Sequence, residues 1–339
     1  MPVKKFPLRY DWTLAGIGQI YHLPITELVF RAMSAHRQHF DPTKIQRSTL
    51  LSIKTGQCPE DCAYCPQSAH YETEITKHAI LPKDLVLQKA REAKAGGSTR
   101  FCMGVAWREV KNGPDFDAIL ELVAGVSALG LEVCTTLGML TAPQARRLKA
   151  AGCYAYNHNL DTSPEYYGKI ITTRTYEDRL RTLKVVRAAG ITICCGGIIG
   201  MGESLDDRLG LLLQLANQDP HPESVPINAL QATAGTPLGR QKPIDPIEFV
   251  RMIATTKILM PASMVRLSAG RVEMSDETQA LCFLAGASSI FSGEKLLTQK
   301  NNGGDRDDAL LESLGLSYAP PRPLTHYEPP GHTHLQVVG

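Results

Sequence analysis

The sequence predicts an α/β protein: a (β/α)8 TIM-type barrel with an N-terminal helical extension and a mobile C-terminal tail. Three observations lead there. The chain has 339 residues, room for a barrel of about 250 residues with extensions at both ends. Short β-branched or apolar segments recur roughly every 20 to 40 residues, each followed by an amphipathic stretch, the pattern of parallel strands joined by crossover helices. Within those segments polar and apolar residues alternate, so each strand presents one polar face.

Residues 15–40, with Leu23, Ile25, Leu28, Val29 and Ala32 at helical spacing, read as one amphipathic helix ahead of the barrel, a cap or an interface. The eight strands are expected near 48–54, 99–105, 131–137, 153–160, 191–199, 224–230, 264–269 and 288–292. Helix starts between them are marked at Thr141, where a capping-box pattern with Gln144 coincides with an early proline, and at Thr175, Asp245 and Ser275, each with acidic residues in the first turn. From Ser317 the chain is rich in proline and histidine and loses all periodicity. The expected division is therefore 1–40 extension, 41–316 barrel and 317–339 tail.

Alternation assigns faces within the strands. Arg100 and Cys102 oppose Phe101 and Met103; Glu132, Cys134 and Thr136 oppose Val133 and Leu137. Asn157, Asn159 and Asp161 share a face, as do Thr192 with Cys194 and Arg266 with Ser268, while His158 and Cys195 fall on the outer faces. Helices must cover the apolar outside, so the polar faces converge inward. A barrel interior is ordinarily filled by branched aliphatics. This one is built around something polar.

Bulk composition bounds the partners. Hydrophobic content of 43% and charged content of 21% suit an ordinary globular protein, and a formal net charge of +2 supplies no field for steering nucleic acid. No run of 18 or more apolar residues exists, so no membrane span is expected. Nine cysteines in a large chain that begins without an apolar h-region point to a reducing cytoplasm rather than to disulfides. Lys4, Lys5 and Arg9 lack the serines and the extended basic pattern of a mitochondrial presequence.

The chemistry is concentrated in CPEDCAYC, which spaces Cys58, Cys62 and Cys65 as C-x3-C-x2-C. A cubane [4Fe–4S] cluster takes four thiolates, and three leave one iron open for a substrate or cofactor. A zinc knuckle is the competing structure, but structural zinc draws its ligands as two separated pairs, and no second C-x2-C pair exists here. The spacing, with Tyr64 just before the third cysteine, resembles the signature of the radical S-adenosylmethionine (SAM) enzymes. In that superfamily the open iron chelates SAM and the aromatic residue lies against its adenine.

Residues 10–315 carry a closer resemblance, to the biotin synthase family, in STLLSIKTGQCPEDCAYCPQSAHY, GSTRFCMGVAW, YNHNLDTSPEYYGKIITTRTYEDRL, GGIIGMGE, PESVPINAL and VRLSAGR. The resemblance implies a second cluster, [2Fe–2S], held by Cys102, Cys134, Cys194 and Arg266, all on inward faces by alternation. Arg266 buried without an anion would be costly, and thiolate ligands supply the charge. Cys195 is left to packing, as are Cys153 and Cys282, small buried hydrophobes that match no ligand motif.

By the same resemblance Tyr64, Asn159, Asp161, Arg179, Gly196, Gly197 and Glu203 contact SAM, with Arg179 on the methionine carboxylate. Asn157, Asn159 and Asn228 surround the ureido ring of dethiobiotin, which amides can answer without adding charge. His158 is left as a satisfied structural histidine. The implied activity is sulfur insertion into dethiobiotin to give biotin: SAM is cleaved reductively, a substrate carbon radical forms, and a sulfide of the [2Fe–2S] cluster is captured. Implied partners are a flavodoxin or ferredoxin electron donor, iron–sulfur assembly proteins and a second copy of the chain as a homodimer.

Rival readings are separable. A lipoyl synthase would carry another cysteine motif near its N-terminus, and residues 1–57 contain no cysteine. A hydrogenase-cluster maturase would not require Cys102, Cys134, Cys194 and Arg266 together. A zinc-stabilised binding module would lack the brown colour of an iron–sulfur protein.

Overall fold

Parallel strands cannot be joined by a tight turn, so each pair needs a crossover that packs a helix on the sheet. A computed structural model describes residues 6–321 and shows this arrangement. Two helices, α1 (Leu14–Tyr21) and α2 (Ile25–His36), lead into strand β1 (Lys44–Lys54). The alternation then runs α3 (Lys83–Ala95), β2 (Arg100–Val105), α4 (Pro114–Ala128), β3 (Glu132–Thr136), α5 (Ala142–Ala150), β4 (Cys153–Asn157), α6 (Pro164–Tyr167) and α7 (Tyr176–Ala188). It continues through β5 (Thr192–Cys194), β6 (Gly197–Ile199), α8 (Leu205–Ala216), β7 (Ser224–Ala229), α9 (Pro246–Leu259), β8 (Met264–Leu267), α10 (Asp276–Leu284) and β9 (Ala287–Phe291). A hairpin of β10 (Lys295–Leu296) and β11 (Gln299–Lys300), then α11 (Gly304–Ser313) and β12 (Ser317–Tyr318), complete the described chain. Neighbouring barrel strands are parallel, and β9 returns to β1 through Gln46 opposite Ser289 and Ser48 opposite Phe291, closing the barrel.

All eight expected strands are present, and so are the four expected helix starts: Thr141 and Thr175 as capping boxes, Asp245 and Ser275 as side-chain caps. Three expectations need correction. The extension is two helices, because Pro24 has no amide proton and holds its neighbour extended, ending α1 before it and starting α2 after it. The fifth strand is interrupted between Cys194 and Gly197. Pro226 on β7 cannot donate to the ladder, and the chain presses in until a Cβ on Gly196 would sit 1.8 Å from the Pro226 carbonyl oxygen. Pairing resumes with Gly197 opposite Ile227. Third, the boundary drawn at 317 cuts through β12, which pairs Ser317 and Tyr318 with Lys44 and Ile45 of β1; residues 322–339 of that tail lie outside the described residues.

Alternation sorts the core into two clusters. The larger one joins outer-face residues such as Phe101, Met103, Val133, Ile193, Cys195, Val265 and Ile290 to the covering helices. The smaller one lies inside the barrel: Cys102, Cys134, Ala155, Cys194, Phe291 and Leu296, with Leu50, Tyr154 and Ala269 against it. The helical extension does not cap an end of the barrel. It packs on the outer layer, α1 on α8 and α9 and α2 on α9, tied by Tyr21 Oη donating to Glu248 at 2.6 Å and by Arg251 donating to the Tyr21 and Leu23 carbonyls at 2.8 Å.

Candidate active site

The inward faces and the loops that follow the strands enclose a cavity of about 310 Å³. In (β/α)8 barrels the loops after the strands build the site. The cavity collects Cys58, Cys62 and Cys65 from the loop after β1, Cys102, Cys134, Cys194 and Arg266 from the barrel strands, and Tyr64, Asn157, Asn159, Asp161, Arg179 and Asn228. Thus thirteen of the sixteen residues singled out from the sequence are brought to one place.

The cysteine loop is tied at several points. Gly56 and Gln57 take left-handed backbone to turn the chain out of β1. Cys58 then donates its amide to the Gln67 carbonyl (2.9 Å), Ala69 donates to the Cys58 carbonyl (2.7 Å), and the Ser68 hydroxyl donates to the Glu60 carbonyl (2.6 Å). Asp61 accepts from the Thr172 and Thr173 amides at 2.9 and 3.2 Å, fastening the loop to the segment before α7. Burial pushes the Cys62 and Cys65 thiols up to about 11 and about 12. Such thiols ionise when a metal takes the proton's place, and loading releases protons. Among the described residues no three His, Cys, Asp or Glu side chains gather around a single ion position. A cubane does not need that, since its ligands sit on separate irons.

Deeper in the barrel Cys102, Cys134 and Cys194 interact through Cys134. Cys194 is drawn well below the ordinary thiol range by its hydrogen bond with Cys134, with the Arg266 and Arg100 charges adding to it against burial. Cys134, the shared neighbour of Cys102 and Cys194, is raised well above that range, and Cys102 is lowered. Arg266 is fully buried; its Nε donates to Ser289 Oγ (2.9 Å) and its Nη2 to Gln46 Oε1 (3.2 Å) and Ser48 Oγ (3.3 Å). Its Nη1 has no partner, and no carboxylate pairs with it among the described residues. The nearby Glu132 is committed to Arg100 at 2.8 Å. A buried guanidinium with one open nitrogen beside three thiols asks for an anionic group. A thiolate-ligated cluster fits that demand, and no single polar neighbour does.

Asp161 is the hub of the upper wall. Its backbone is left-handed (φ 68°), a strained choice for a residue with a side chain, and its carboxylate accepts from Tyr64 Oη at 2.9 Å and from Arg179 Nη2. Arg179 also donates from Nη1 to the Asn159 carbonyl (2.7 Å) and from Nε to Tyr167 Oη (3.0 Å). All three of its nitrogens are therefore engaged inside the protein. In this structure Arg179 braces Asn159 and Asp161 and lines the cavity, and its two Nη groups keep one N–H each beyond these bonds.

The amides are linked in series. Thr136 Oγ1 donates to Asn157 Oδ1 (3.3 Å), Asn157 Nδ2 donates to Asn159 Oδ1 (3.2 Å), and Gly196 donates its amide to the same Asn159 oxygen (3.1 Å). Asn228 bridges the Gly197 carbonyl (2.9 Å) and the Ala269 amide (3.2 Å).

Three expected contacts stand outside the cavity wall. Gly196 and Gly197 serve close packing: a Cβ at Gly197 would lie 2.7 Å from the Asp161 carbonyl oxygen. Glu203 clasps its own turn, accepting from the Gly200 and Met201 amides (2.8 and 2.6 Å) and from Arg208 Nε (2.7 Å). His158 also departs from expectation, for it lines the cavity and its buried Nε2 has no partner. Burial, with Arg174 and Arg179 nearby, pushes its pKa well down, and the ring is neutral.

Sequence reasoning missed Gln46, Ser48 and Ser289 around Arg266, Glu60 and Arg174 beside the cysteine loop, and Leu296 to Gln299 of the hairpin that lines the cavity. Gln46 and Ser48 were within reach, because they continue the inward alternation of β1. The hairpin carries no periodic signal at all.

Comparison with known proteins places this geometry. Residues 52–215 match the Radical SAM superfamily, and residues 226–317 match the Biotin and Thiamin Synthesis associated domain. The chain is 61% identical over 311 residues to biotin synthase of Methylobacterium nodulans, covering 91% of this chain and 93% of the relative. It is 59% identical over 315 residues to biotin synthase of Myxococcus xanthus, covering 93% and 91%. Among solved structures, methylornithine synthase shares the fold at a TM-score of 0.76 and 15% identity, over 91% of this chain and 95% of that one. The FeFe-hydrogenase maturase from Carboxydothermus hydrogenoformans does so at 0.76 and 16%, over 93% and 78%.

Proposed function

The chain belongs to the biotin synthase family, a radical SAM enzyme that converts dethiobiotin to biotin, and from that premise we propose which of its residues do the work. Cys58, Cys62 and Cys65 would hold the [4Fe–4S] cluster, and Cys102, Cys134, Cys194 and Arg266 the [2Fe–2S] cluster. When bound, the first cluster and SAM supply one-electron chemistry that generates a hydrogen-abstracting radical. The observation that carries the inner assignment is the open Nη1 of Arg266 beside three buried thiols.

The protein's own residues bind, orient and exclude water. The linked amides of Asn157 and Asn159 present preset donors and acceptors to a urea, and Asn228 is fixed between β6 and the segment after β8 for the same purpose. Arg179 holds Asp161 at the strained turn, and Asp161 in turn orients Tyr64. Leu296, Leu297 and Thr298 line the cavity from the hairpin, which Gln299 Nε2 ties down by donating to Thr233 Oγ1 at 2.9 Å. Keeping water and stray hydrogen donors away protects a carbon radical until it reaches sulfur.

The [2Fe–2S] cluster would be the sulfur substrate, consumed in turnover, because its ligands and the substrate amides share one small cavity. Asn157 Nδ2 lies 3.4 Å from Cys194 Sγ, so the two sets interlock. With isotopically labelled sulfide placed only in that cluster, the first turnover is expected to carry the label into biotin. Unlabelled product with the labelled cluster intact would leave the radical SAM activity standing and remove the donor role.

The adjacent cysteines give a second test. Cys194 belongs to the inner cluster of side chains and Cys195 to the outer one. Cys194→Ala should therefore fail to assemble the [2Fe–2S] cluster, while Cys195→Ala should cost about 1 kcal/mol of packing. Mössbauer spectra showing equal loss in both variants would contradict the assignment.

Supply of electrons by a flavodoxin or ferredoxin, renewal by iron–sulfur assembly proteins and pairing with a second copy are proposed with the family. Among the described residues no helix is long and apolar enough to cross a membrane. A cytoplasmic setting is proposed because the cluster ligands must stay reduced.

A further inference from the structure

One charged group beside the outer cysteines has no part in the chemistry described so far. Arg174 sits in the segment between α6 and α7, 112 residues along the chain from Cys62, and its side chain is 8% exposed. Its Nη2 lies 4.0 Å from Cys62 Sγ, and the guanidinium borders the cavity. Glu60, 2% exposed and two residues before Cys62, is its nearest carboxylate, but the pair is loose: Nε to Oε2 is 3.8 Å, and Nε has no hydrogen-bond partner. Glu60 is held instead by the Thr173 hydroxyl, and its Oε1 also lies 3.7 Å from Arg108 Nε. A burial site designed only to neutralise Arg174 would close that gap. Here the guanidinium is divided between a carboxylate and a cysteine sulfur.

We propose that Arg174 is a positioning residue for the outer cluster, acting through Cys62: its buried positive charge favours the reduced form of the cluster, and Glu60 sets how much of that charge is felt. The proposal rests on Cys62 being a cluster ligand. Reduction adds one electron to the cluster, so a cation near a ligand sulfur raises the potential and an anion lowers it. Low dielectric around the buried pair makes both effects larger than they would be at the surface. The two side chains thus work in opposite directions on the same couple, and the sign of each follows from its charge.

The test is an EPR-monitored redox titration of the reconstituted full-length chain, without SAM, on Arg174→Gln, Arg174→Lys and Glu60→Gln. Arg174→Gln is expected to shift the midpoint to lower potential. Arg174→Lys, which keeps the charge, should return it most of the way, and Glu60→Gln should shift it upward. An unchanged midpoint in Arg174→Gln, or a shift in Arg174→Lys as large as that in Arg174→Gln, would overturn the proposal. If Arg174→Gln assembles no cluster, Glu60→Gln decides, since a midpoint unmoved or lowered there is incompatible with the charge argument. Iron and sulfide content of Cys62→Ala separates the premise from the inference: a full cluster there would remove the ligand assignment, whatever the midpoints do.

Discussion

Cys62→Ala is expected to lose the [4Fe–4S] EPR signal and all cleavage of SAM to methionine and 5′-deoxyadenosine, while the [2Fe–2S] absorption survives. The reason is structural separation. Cys62 belongs to a loop held by hydrogen bonds to residues 67–69 and 172–173, whereas the inner ligands sit on β2, β3, β5 and β8. Removing a single sulfur from the loop takes away one of three thiolates and leaves the barrel ladder untouched. The lost side chain is small and lies against the cavity, so the fold should tolerate the change. Iron analysis with far-UV circular dichroism checks this outcome. Loss of both clusters from a folded variant would mean that the two sites assemble as one.

The largest effect on stability is expected at Glu132. Arg100 and Glu132 form an ion pair of 2.8 Å with side chains 6% and 3% exposed, and Gln46 Nε2 donates to the same carboxylate oxygen at 3.0 Å. Glu132→Ala leaves a buried guanidinium with no counter-charge, which costs about 3–5 kcal/mol. Adding Arg100→Met removes the stranded charge, so the double variant should recover most of the loss. Urea unfolding of the parent, both single variants, Glu132→Ala and Arg100→Met, and the double variant measures it. A single variant within about 1 kcal/mol of the parent, or a double variant no better than the single, would contradict the pair's role. Gln46 also accepts from Arg266, so the single variant should in addition weaken retention of the inner cluster.

Much of this molecule is legible in local sequence because local geometry has fixed periods. Side chains two apart on a strand share a face, and that alone sends Cys102, Cys134, Cys194 and Arg266 inward and Cys195 outward, as the two core clusters show for the cysteines and the cavity lining for Arg266. Helix starts at Thr141, Thr175, Asp245 and Ser275 are equally local, since a cap bonds amides only two or three residues away. The split at Pro24 follows the same kind of local rule, although apolar residues at helical spacing continue on both sides of it.

What tertiary structure alone decides is which inward residues meet. Arg266 bonds Gln46 and Ser48 across sequence separations of 220 and 218, a contact set by barrel closure between β1 and β9. The break at Gly196 depends on Pro226 of a neighbouring strand. Arg179 reads on its own helix as a charge free to meet a ligand, and only the fold brings Asp161, the Asn159 carbonyl and Tyr167 around it. Arg174 shows no signal in sequence, and a loop crossing puts it beside Cys62. The sequence by itself thus determined the eight strands, the inward faces of Cys102, Cys134, Cys194 and Arg266, and the three-cysteine loop, because short-range sterics and hydrogen bonding dictate them. The pairing of charges inside the barrel was decided by register and closure, which join residues that no local period relates.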